Sequence, residues 1–534
     1  MTAQPLFFVD SIKAIETAFV KQKQIDLYEL MLRAGSGAFA QIQKQVGEAR
    51  QWLIATGAGN NAGDGLVVAR LALEAGFDVT LLALKPYEKL SGDPAQAWQA
   101  LQSAVNTKAE HQRFEVLEWD SFNQRNDQYE VVIDALLGTG VNGELYEPYR
   151  KAIEAINAIR AIKVSLDIPT GVYADSGCVA EYDGKPTVFQ ADITISFVAL
   201  KAGQVMNSAL QYQGRLILEN LGVQEPLSYA ERPAAWRPKL TELKHLLPQR
   251  SAVGSKFDAG HVLVIGGGKN LGGAAILSAN SAISTGAGLV SCWLDSDNQS
   301  AALAYCPEVM WYGLSESENI ESRFEQQLGR FQAVAIGPGL GRDAIARSRF
   351  EQAMIALKDS ETPVVIDADG LYWLSKGSYT LPKNCIITPH AGEAVRLLNA
   401  KEQDVLASGR IEPQLSVDTA YVEQNRIKVA ENLARKYGAT CVLKGAATIV
   451  SNGTESYVTA GADAAFLTAG LGDVLTGLIC SLLAQGVNPL ETAMLASELH
   501  FAAGKSAAAG RHRGMLASEV ISALNRLINQ LEQE

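Results

Sequence analysis

A carboxylate in a glycine turn at the start of a helix can accept a proton beside a bound anion. Asp473 stands in such a place, within Thr468-Ala469-Gly470-Leu471-Gly472-Asp473-Val474-Leu475-Thr476-Gly477. The glycines let a ligand come close to the backbone and permit positive φ. The apolar run from Val474 to about Ala484 predicts a helix, whose first turn leaves N–H groups unpaired and carries partial positive charge. A carboxylate there is a poor phosphate ligand. It is a good acceptor for the proton of a hydroxyl that attacks a phosphoryl group. Asp473 also reads as a plain N-cap, and the local sequence leaves both roles open.

A second set of candidates lies in the first half. Asn61, Asp134 and Thr170 each fall at or just past the carboxyl end of an expected strand. Oxygen ligands of low total charge suit a hard monovalent cation better than zinc. Asp167 lies three residues before Thr170 and is the acid or base nearest that set, or else only a hydrogen-bond acceptor for the loop. The loop Gly57-Ala58-Gly59-Asn60-Asn61-Ala62-Gly63-Asp64-Gly65 carries amides and a carboxylate, which favour a cation or a polar substrate. Gly138-Thr139-Gly140-Val141-Asn142-Gly143 matches G-x-G-x-x-G and has the form of a dinucleotide fingerprint. Glu144 and Pro148, where the helix should tighten onto the phosphate, speak against that.

In the second half Gly268-Lys269-Asn270 fails as a phosphate loop: no Ser or Thr follows the Lys, and Leu263 stands where a glycine is needed. His390 follows Pro389 in a glycine loop and is either structural or in contact with substrate. Asp367 and Asp369 are cation ligands or turn formers.

These residues need strands to deliver them. The runs Gln51–Thr56, Asp78–Leu84, Tyr129–Leu137, Lys163–Ile168, Asp192–Phe197 and Gly214–Leu218 read as strands, with helices expected over Leu66–Ala75 and Tyr149–Ala161. Two earlier helical patterns fill 11–46, with Ser11 as a plausible N-cap. From 261 the pattern restarts: His261–Ile265, Gly288–Trp293, Ala333–Ile336, Pro363–Ile366, Cys385–Ile387 and Thr440–Leu443. Five of these end in a glycine or polar loop. Alternating strands and helices predict α/β architecture with mostly parallel sheets and a ligand cleft at the strands' carboxyl ends. Between the halves, Pro226, Pro233, Pro238 and Pro248 interrupt the pattern. The expected layout is one domain over 1–225, a linker over 226–250 and a second domain over 251–534.

Composition narrows the classes. The 534 residues exceed one ordinary core. Hydrophobic content of 47% and charged content of 19% fit a globular protein, and a net charge of −12 speaks against nucleic acid or an anionic membrane as partner. No apolar run approaches a membrane span, and the N-terminus lacks a signal-peptide pattern. The six cysteines form no C-x-x-C pair, which together suggests a cytoplasmic protein with reduced thiols. No H-e-x-x-H or zinc spacing is present.

With both sets of loops in view, the chain resembles the bifunctional NAD(P)H-hydrate repair enzymes. These fuse an NAD(P)HX epimerase to an ADP- or ATP-dependent (S)-NAD(P)HX dehydratase. The resemblance rests on the 57–65 loop, Asp134-Ala135-Leu136-Leu137-Gly138-Thr139-Gly140 and Asp167-Ile168-Pro169-Thr170-Gly171 in the first half. In the second it rests on Gly337-Pro338-Gly339-Leu340-Gly341, Asp367-Ala368-Asp369-Gly370, Thr388-Pro389-His390-Ala391-Gly392-Glu393, Leu443-Lys444-Gly445-Ala446-Ala447-Thr448 and the Asp473 turn. It implies a Rossmann-like three-layer α/β/α domain followed by a ribokinase-like α/β domain.

By the same resemblance, Asn60, Asn61, Ala62, Gly63, Asp64, Gly138, Thr139, Gly140, Val141, Asn142, Gly143, Glu144, Tyr149 and Asp167 would hold the hydrated nucleotide in the epimerase. Asn61, Asp134 and Thr170 would bind K+. Ala274, Gly339, His390 and Asp473 would line the dehydratase substrate site. Lys444, Gly445, Ala446, Ala447, Thr448 and Gly472 would hold ADP or ATP, with Mg2+ on the nucleotide. The catalytic residues would be Asp167 and Asp473, and a homo-oligomer is implied. The chain departs from the family pattern at Ala62, at Asp463-Ala464-Ala465, at Leu471 (a small Ser or Thr is usual there) and in a longer connection over 408–421.

Overall fold

Seven parallel strands form the N-terminal sheet, in the order Arg215–Glu219, Ile193–Phe197, Ile162–Leu166, Val131–Ala135, Gln51–Thr56, Asp78–Ala83, Phe114–Glu118. The central strands are buried along nearly their whole length, as expected when helices cover both faces of a parallel sheet. The order reverses at Gln51–Thr56, which sits between its successor Asp78–Ala83 and the later strand Val131–Ala135. Loops leaving the two strands at such a reversal diverge and open a crevice. The computed structural model describes residues 3–123, 128–228, 232–400, 417–459 and 461–533. The chain divides into Pro5–Ala234 and a second unit from Ala235 onward that includes the residues before Pro5.

The helix after the first strand runs Asn60–Glu74, not from Leu66. Gly59 is its N-cap, so the amide-rich loop is itself the first turns of the helix. The first helix begins at Val9 rather than after Ser11, because the Asp175 carboxylate accepts the Val9 N–H at 2.7 Å. The second helix, Leu27–Val46, is capped by Asp26, which accepts from Glu29 N at 2.8 Å.

In the second unit the strand order is Ala235–Arg237, Ser456–Thr459, Thr448–Ser451, Thr440–Leu443, Cys385–Ile387, Val364–Ile366, Ala333–Ile336, His261–Ile265, Leu289–Asp295, Met310–Leu314. All pairs are parallel except those on either side of Thr448–Ser451. The reversal here falls at His261–Ile265. Its following loop is tied to the loop after Ala333–Ile336 by Gly267 N donating to Pro338 O (2.9 Å) and Gly268 N to Gly339 O (2.7 Å).

Helix Leu471–Ala484 crosses helix Gly272–Ser284 closely: a Cβ on Gly477 would lie 2.1 Å from Ser278 O. Ser278 Oγ donates to Asp473 O (2.8 Å) and Ser281 Oγ to Val474 O (2.7 Å). These contacts fix the helix that carries Asp473.

The stretch 226–250 is not a bare linker. From Ala235 it belongs to the second unit: Trp236 pairs with Tyr457 and Leu243 is fully buried in the second core. The long connection expected over 408–421 lies outside the described residues as far as 416.

Candidate functional site

A cavity of about 680 Å³ opens at the sheet reversal of the N-terminal unit. Asn60, Asn61, Asp64, the run Gly138 to Glu144 and Asp167 line it, joined by Lys13 and Glu16 of the first helix. Three expected residues are not among its lining. Ala62 is fully buried, and a Cβ on Gly63 would lie 2.5 Å from Met31 Sδ, so both face the packing side of their helix. The Tyr149 hydroxyl sits beneath the first loop, 3.4 Å from where a Gly57 Cβ would be.

Asp167 is held in an unusual way. Its φ is +62°, a conformation non-glycine residues adopt at a cost. Its carbonyl accepts from Gln204 Nε2 at 2.7 Å. Its Oδ1 accepts from Phe197 N at 3.2 Å and pairs with Lys201 Nζ. Lys201 is 1% exposed and also donates to Ser196 Oγ (3.1 Å) and Phe197 O (2.9 Å). A fully buried ammonium needs such a set of acceptors. Sequence reasoning missed Lys201; the signal available was a lone lysine inside Phe197-Val198-Ala199-Leu200-Lys201-Ala202-Gly203.

Two further carboxyls face this pair. Burial, then the Asp167 charge, raises Glu16 to about 7 against the pull of Lys201 and Lys13. Asp64 is held well above the usual carboxylate range by burial, then by Asp167 and Glu16. The cavity therefore sets two carboxyls raised by burial beside an aspartate paired with an ammonium, an arrangement suited to acid–base chemistry on one substrate.

The three expected cation ligands converge behind the cavity. Asp134 is fully buried and accepts from Thr170 N and Thr170 Oγ1 (both 2.7 Å), Leu136 N (3.1 Å) and Ser165 Oγ (3.3 Å). Burial still raises it to about 6. Asn61 Nδ2 donates to Leu137 O at 2.9 Å, and Thr170 Oγ1 also meets Leu137. Asn61 Oδ1 is buried with no hydrogen-bond partner. A buried acceptor without a donor is costly, and a cation would satisfy it.

In the second unit the groups gather where the loops leave adjacent strands. Lys444 Nζ pairs with Asp367 Oδ1 at 2.6 Å, and Thr476 Oγ1 donates to Asp367 Oδ2 at 2.7 Å. Burial alone would raise the Asp367 carboxyl, but the Lys444 ammonium and its hydrogen bonds hold it below its ordinary value. A Cβ on Gly472 would lie 3.5 Å from Lys444 Nζ. Asp473 is in the first turn of its helix. The cap is Gly470, at φ +88° with no side-chain hydrogen bond, so Asp473 is not the N-cap. Burial, then the neighbouring Asp367 charge, lifts it to about 7.

Gly339 and Ala274 come together: a Cβ on Gly339 would lie 3.1 Å from Ala274 Cβ. His390 is the N-cap of helix Ala391–Asn399, its Nδ1 accepting from Gly392 N at 3.0 Å and its own N–H donating to Glu393 Oε2 at 2.9 Å. Its side chain remains 57% exposed. Asp369 is a turn former, accepting from Gly341 N (3.0 Å) and Arg342 Nε (2.8 Å). Leu471 is buried in the core.

The loop Lys444 to Thr448 rests on Arg426, another residue sequence reasoning missed. Arg426 is buried and donates to Leu443 O (3.1 Å) and Ala447 O (2.8 Å), bracing both ends of the loop.

The sequence model of the NAD(P)H-hydrate dehydratase family matches residues 262–526, and that of the YjeF-related protein N-terminus matches 27–203. The bifunctional NAD(P)H-hydrate repair enzyme of Vibrio cholerae is 36% identical over 529 residues, covering 98% of each chain. That of Escherichia coli is 33% identical over 527 residues, covering 98% of this chain and 94% of the relative. Among solved structures, an ADP/ATP-dependent NAD(P)H-hydrate dehydratase from Bacillus subtilis matches at 23% identity and a TM-score of 0.47, covering 55% of this chain and 98% of its own.

Proposed function

The chain belongs to the bifunctional NAD(P)H-hydrate repair enzymes, and on that premise we propose a division of labour between its two units. The N-terminal unit interconverts the R and S forms of hydrated NAD(P)H. The C-terminal unit dehydrates the S form with ADP or ATP. The observation that carries the second half is Asp473, poised near neutrality beside a glycine turn and the Lys444–Asp367 pair.

The hydrate carries a hydroxyl on C6 of its nicotinamide ring. Asp473 takes that hydroxyl's proton as the oxygen attacks the nucleotide's terminal phosphoryl group. Backbone N–H groups of the Gly470–Gly472 turn and the Lys444 ammonium stabilise the charge on the phosphoryl oxygens. Phosphate then leaves with both electrons of the C6–O bond, and loss of a C5 proton restores the double bond. The glycines keep side chains away from the phosphates, and Arg426 holds the loop that accepts the nucleotide.

In the epimerase cavity Asp167, paired with Lys201, is the base. Asn61, Asp134 and Thr170 would hold K+, supported by the unpartnered Asn61 Oδ1; the ion would add positive charge behind the substrate loop. Mg2+ is different. No group of three His, Cys, Asp or Glu residues is arranged for a metal among the described residues, and both Asp367 oxygens are engaged. The ion would ride on the nucleotide's phosphates.

The substrates are accordingly NADHX or NADPHX with ADP or ATP. No helix among the described residues is long and apolar enough to cross a membrane. All six cysteines are free thiols, which supports a reducing, cytoplasmic setting. A homo-oligomer is the expected assembly, checked by light scattering.

The deciding experiment incubates the full chain with NADHX and either nucleotide and follows the absorbance of reduced nicotinamide together with free phosphate. Recovery of both is expected. A stable phosphoester without recovery would mean a kinase, and no reaction with either nucleotide would end the dehydratase reading.

A further inference from the structure

Helix Val9–Lys23 buries Ile12, Ile15 and Phe19, a stripe at i, i+3 and i+7. Glu16 is the i+4 member of that stripe, where an apolar residue is expected. Its carboxyl has no hydrogen bond or ion pair with any described residue. Glu16 is half-buried at the cavity wall and not sealed in the core, and a break of the local pattern that nothing structural offsets points to a functional role. Glu16 lines the same cavity as Asp167 and Asn61, whose Oδ1 has no hydrogen-bond partner.

We propose that Glu16 is a catalytic residue of the N-terminal cavity, the proton donor that works with Asp167 in inverting C6. This rests on the epimerase reading above. Inversion moves the hydroxyl from one ring face to the other. As the C6–O bond breaks, the oxygen keeps the bonding pair and takes the Glu16 proton, leaving as water. The lone pair of the ring nitrogen forms an N1=C6 bond. A water molecule then adds to the opposite face, its lone pair making the new C6–O bond while the N1=C6 π pair returns to nitrogen. The surplus proton of that water goes to Asp167. One carboxyl has lost a proton and the other has gained one, and exchange through cavity water resets them. For the reverse substrate the roles exchange.

The groups around Glu16 make this assignment coherent. Asp64 and Asp167 face it with negative or potential negative charge, Lys13 lies one turn away on its own helix, and Lys201 stands behind Asp167. Asp93 and Glu144 line the same cavity. Burial, then the Asp167 charge, lifts Glu16 to about 7, so that its proton is available near neutral pH, and Asp167, paired with Lys201, lines the same cavity.

The test uses the full chain and (R)-NADHX, with R and S forms resolved chromatographically and the uncatalysed rate subtracted. Glu16→Gln keeps the shape and removes the transferable proton. It should slow interconversion at least 100-fold in kcat with little change in KM, and leave dehydration of the S form intact. Glu16→Asp should retain measurable turnover with a displaced pH profile, which a purely structural role would not produce. In 18O-labelled water, each inversion should incorporate label at the C6 hydroxyl. Interconversion by Glu16→Gln at the wild-type rate overturns the assignment while leaving the epimerase reading in place, as does inversion without label uptake. A wild-type chain that does not interconvert the forms overturns both.

Discussion

The two units solve one problem with different parts. Each pairs an aspartate with a lysine, Asp167 with Lys201 and Asp367 with Lys444. Each then sets a second carboxyl beside that pair, Glu16 or Asp473, which burial and the neighbouring negative charge lift to about 7. In the N-terminal unit, on the proposed reading, the paired aspartate is the one that meets substrate. In the C-terminal unit both oxygens of the ionised aspartate are occupied and the raised carboxyl is left to act. The same electrostatic device thus yields an acid and a base together in one cavity and a single base beside an anion site in the other. The difference lies in which member of the trio is free.

Asp473→Asn gives the sharpest division. It should reduce dehydration by about 100- to 10,000-fold, the usual scale for a lost general base, with R/S interconversion unchanged. Since the ionised form is the base, wild-type dehydration should rise as pH passes through about 7. A variant that repairs the S hydrate at the normal rate would show that Asp473 is not the base.

The lysines differ in what their loss exposes. Asp367 is 2% exposed at its side chain and Asp167 16%. Lys444→Met strands a charge with no access to water and should cost about 3–5 kcal/mol in the C-terminal unit. Lys201→Met leaves its aspartate at a wet cavity wall and should cost less, about 1–2 kcal/mol. Denaturant titrations followed by circular dichroism and tryptophan fluorescence would measure both, and equal losses would break the comparison.

A smaller effect concerns stability against pH. Asp473 and Glu16 have folded pKa values raised above their unfolded ones, so the folded chain binds more protons between about 4 and 7. Their contribution is fully present below the unfolded values and is lost as pH rises through about 7. Asp473→Asn should therefore be the more stable protein at pH 8, by about 1 kcal/mol after allowing for partial solvent access. A wild-type stability that climbs over this range would contradict the assignment.

Much of this was legible locally. Strand ends with glycine or polar loops placed Asp134, Thr170, Asp167, Asp367 and Lys444 near their sites, because parallel sheets present loops at one edge. The helix starts at Asn60 and Leu471 came earlier in the chain than the apolar runs suggest, since a glycine cap lets polar residues form the first turn. Lys201, Glu16 and Arg426 escaped notice for a different reason. Each reaches its partners through strand order and helix placement, which no short window of sequence contains. His390 reads as either structural or in contact with substrate; its Nδ1 closes the helix that follows while the side chain stays 57% exposed. Leu471 departs from the Ser or Thr usual at its position, and its side chain turns into the core.

The crossing of helices Leu471–Ala484 and Gly272–Ser284, with Gly477 pressed onto the Ser278 carbonyl, sets the tempo of the C-terminal site. A contact without room for a methyl group, with Ser278 and Ser281 bonded to the facing carbonyls, holds the backbone that carries Asp473 in place. The amides of this helix pair should accordingly exchange with deuterium at the slowest rates in the unit while those of the 444–448 loop exchange first.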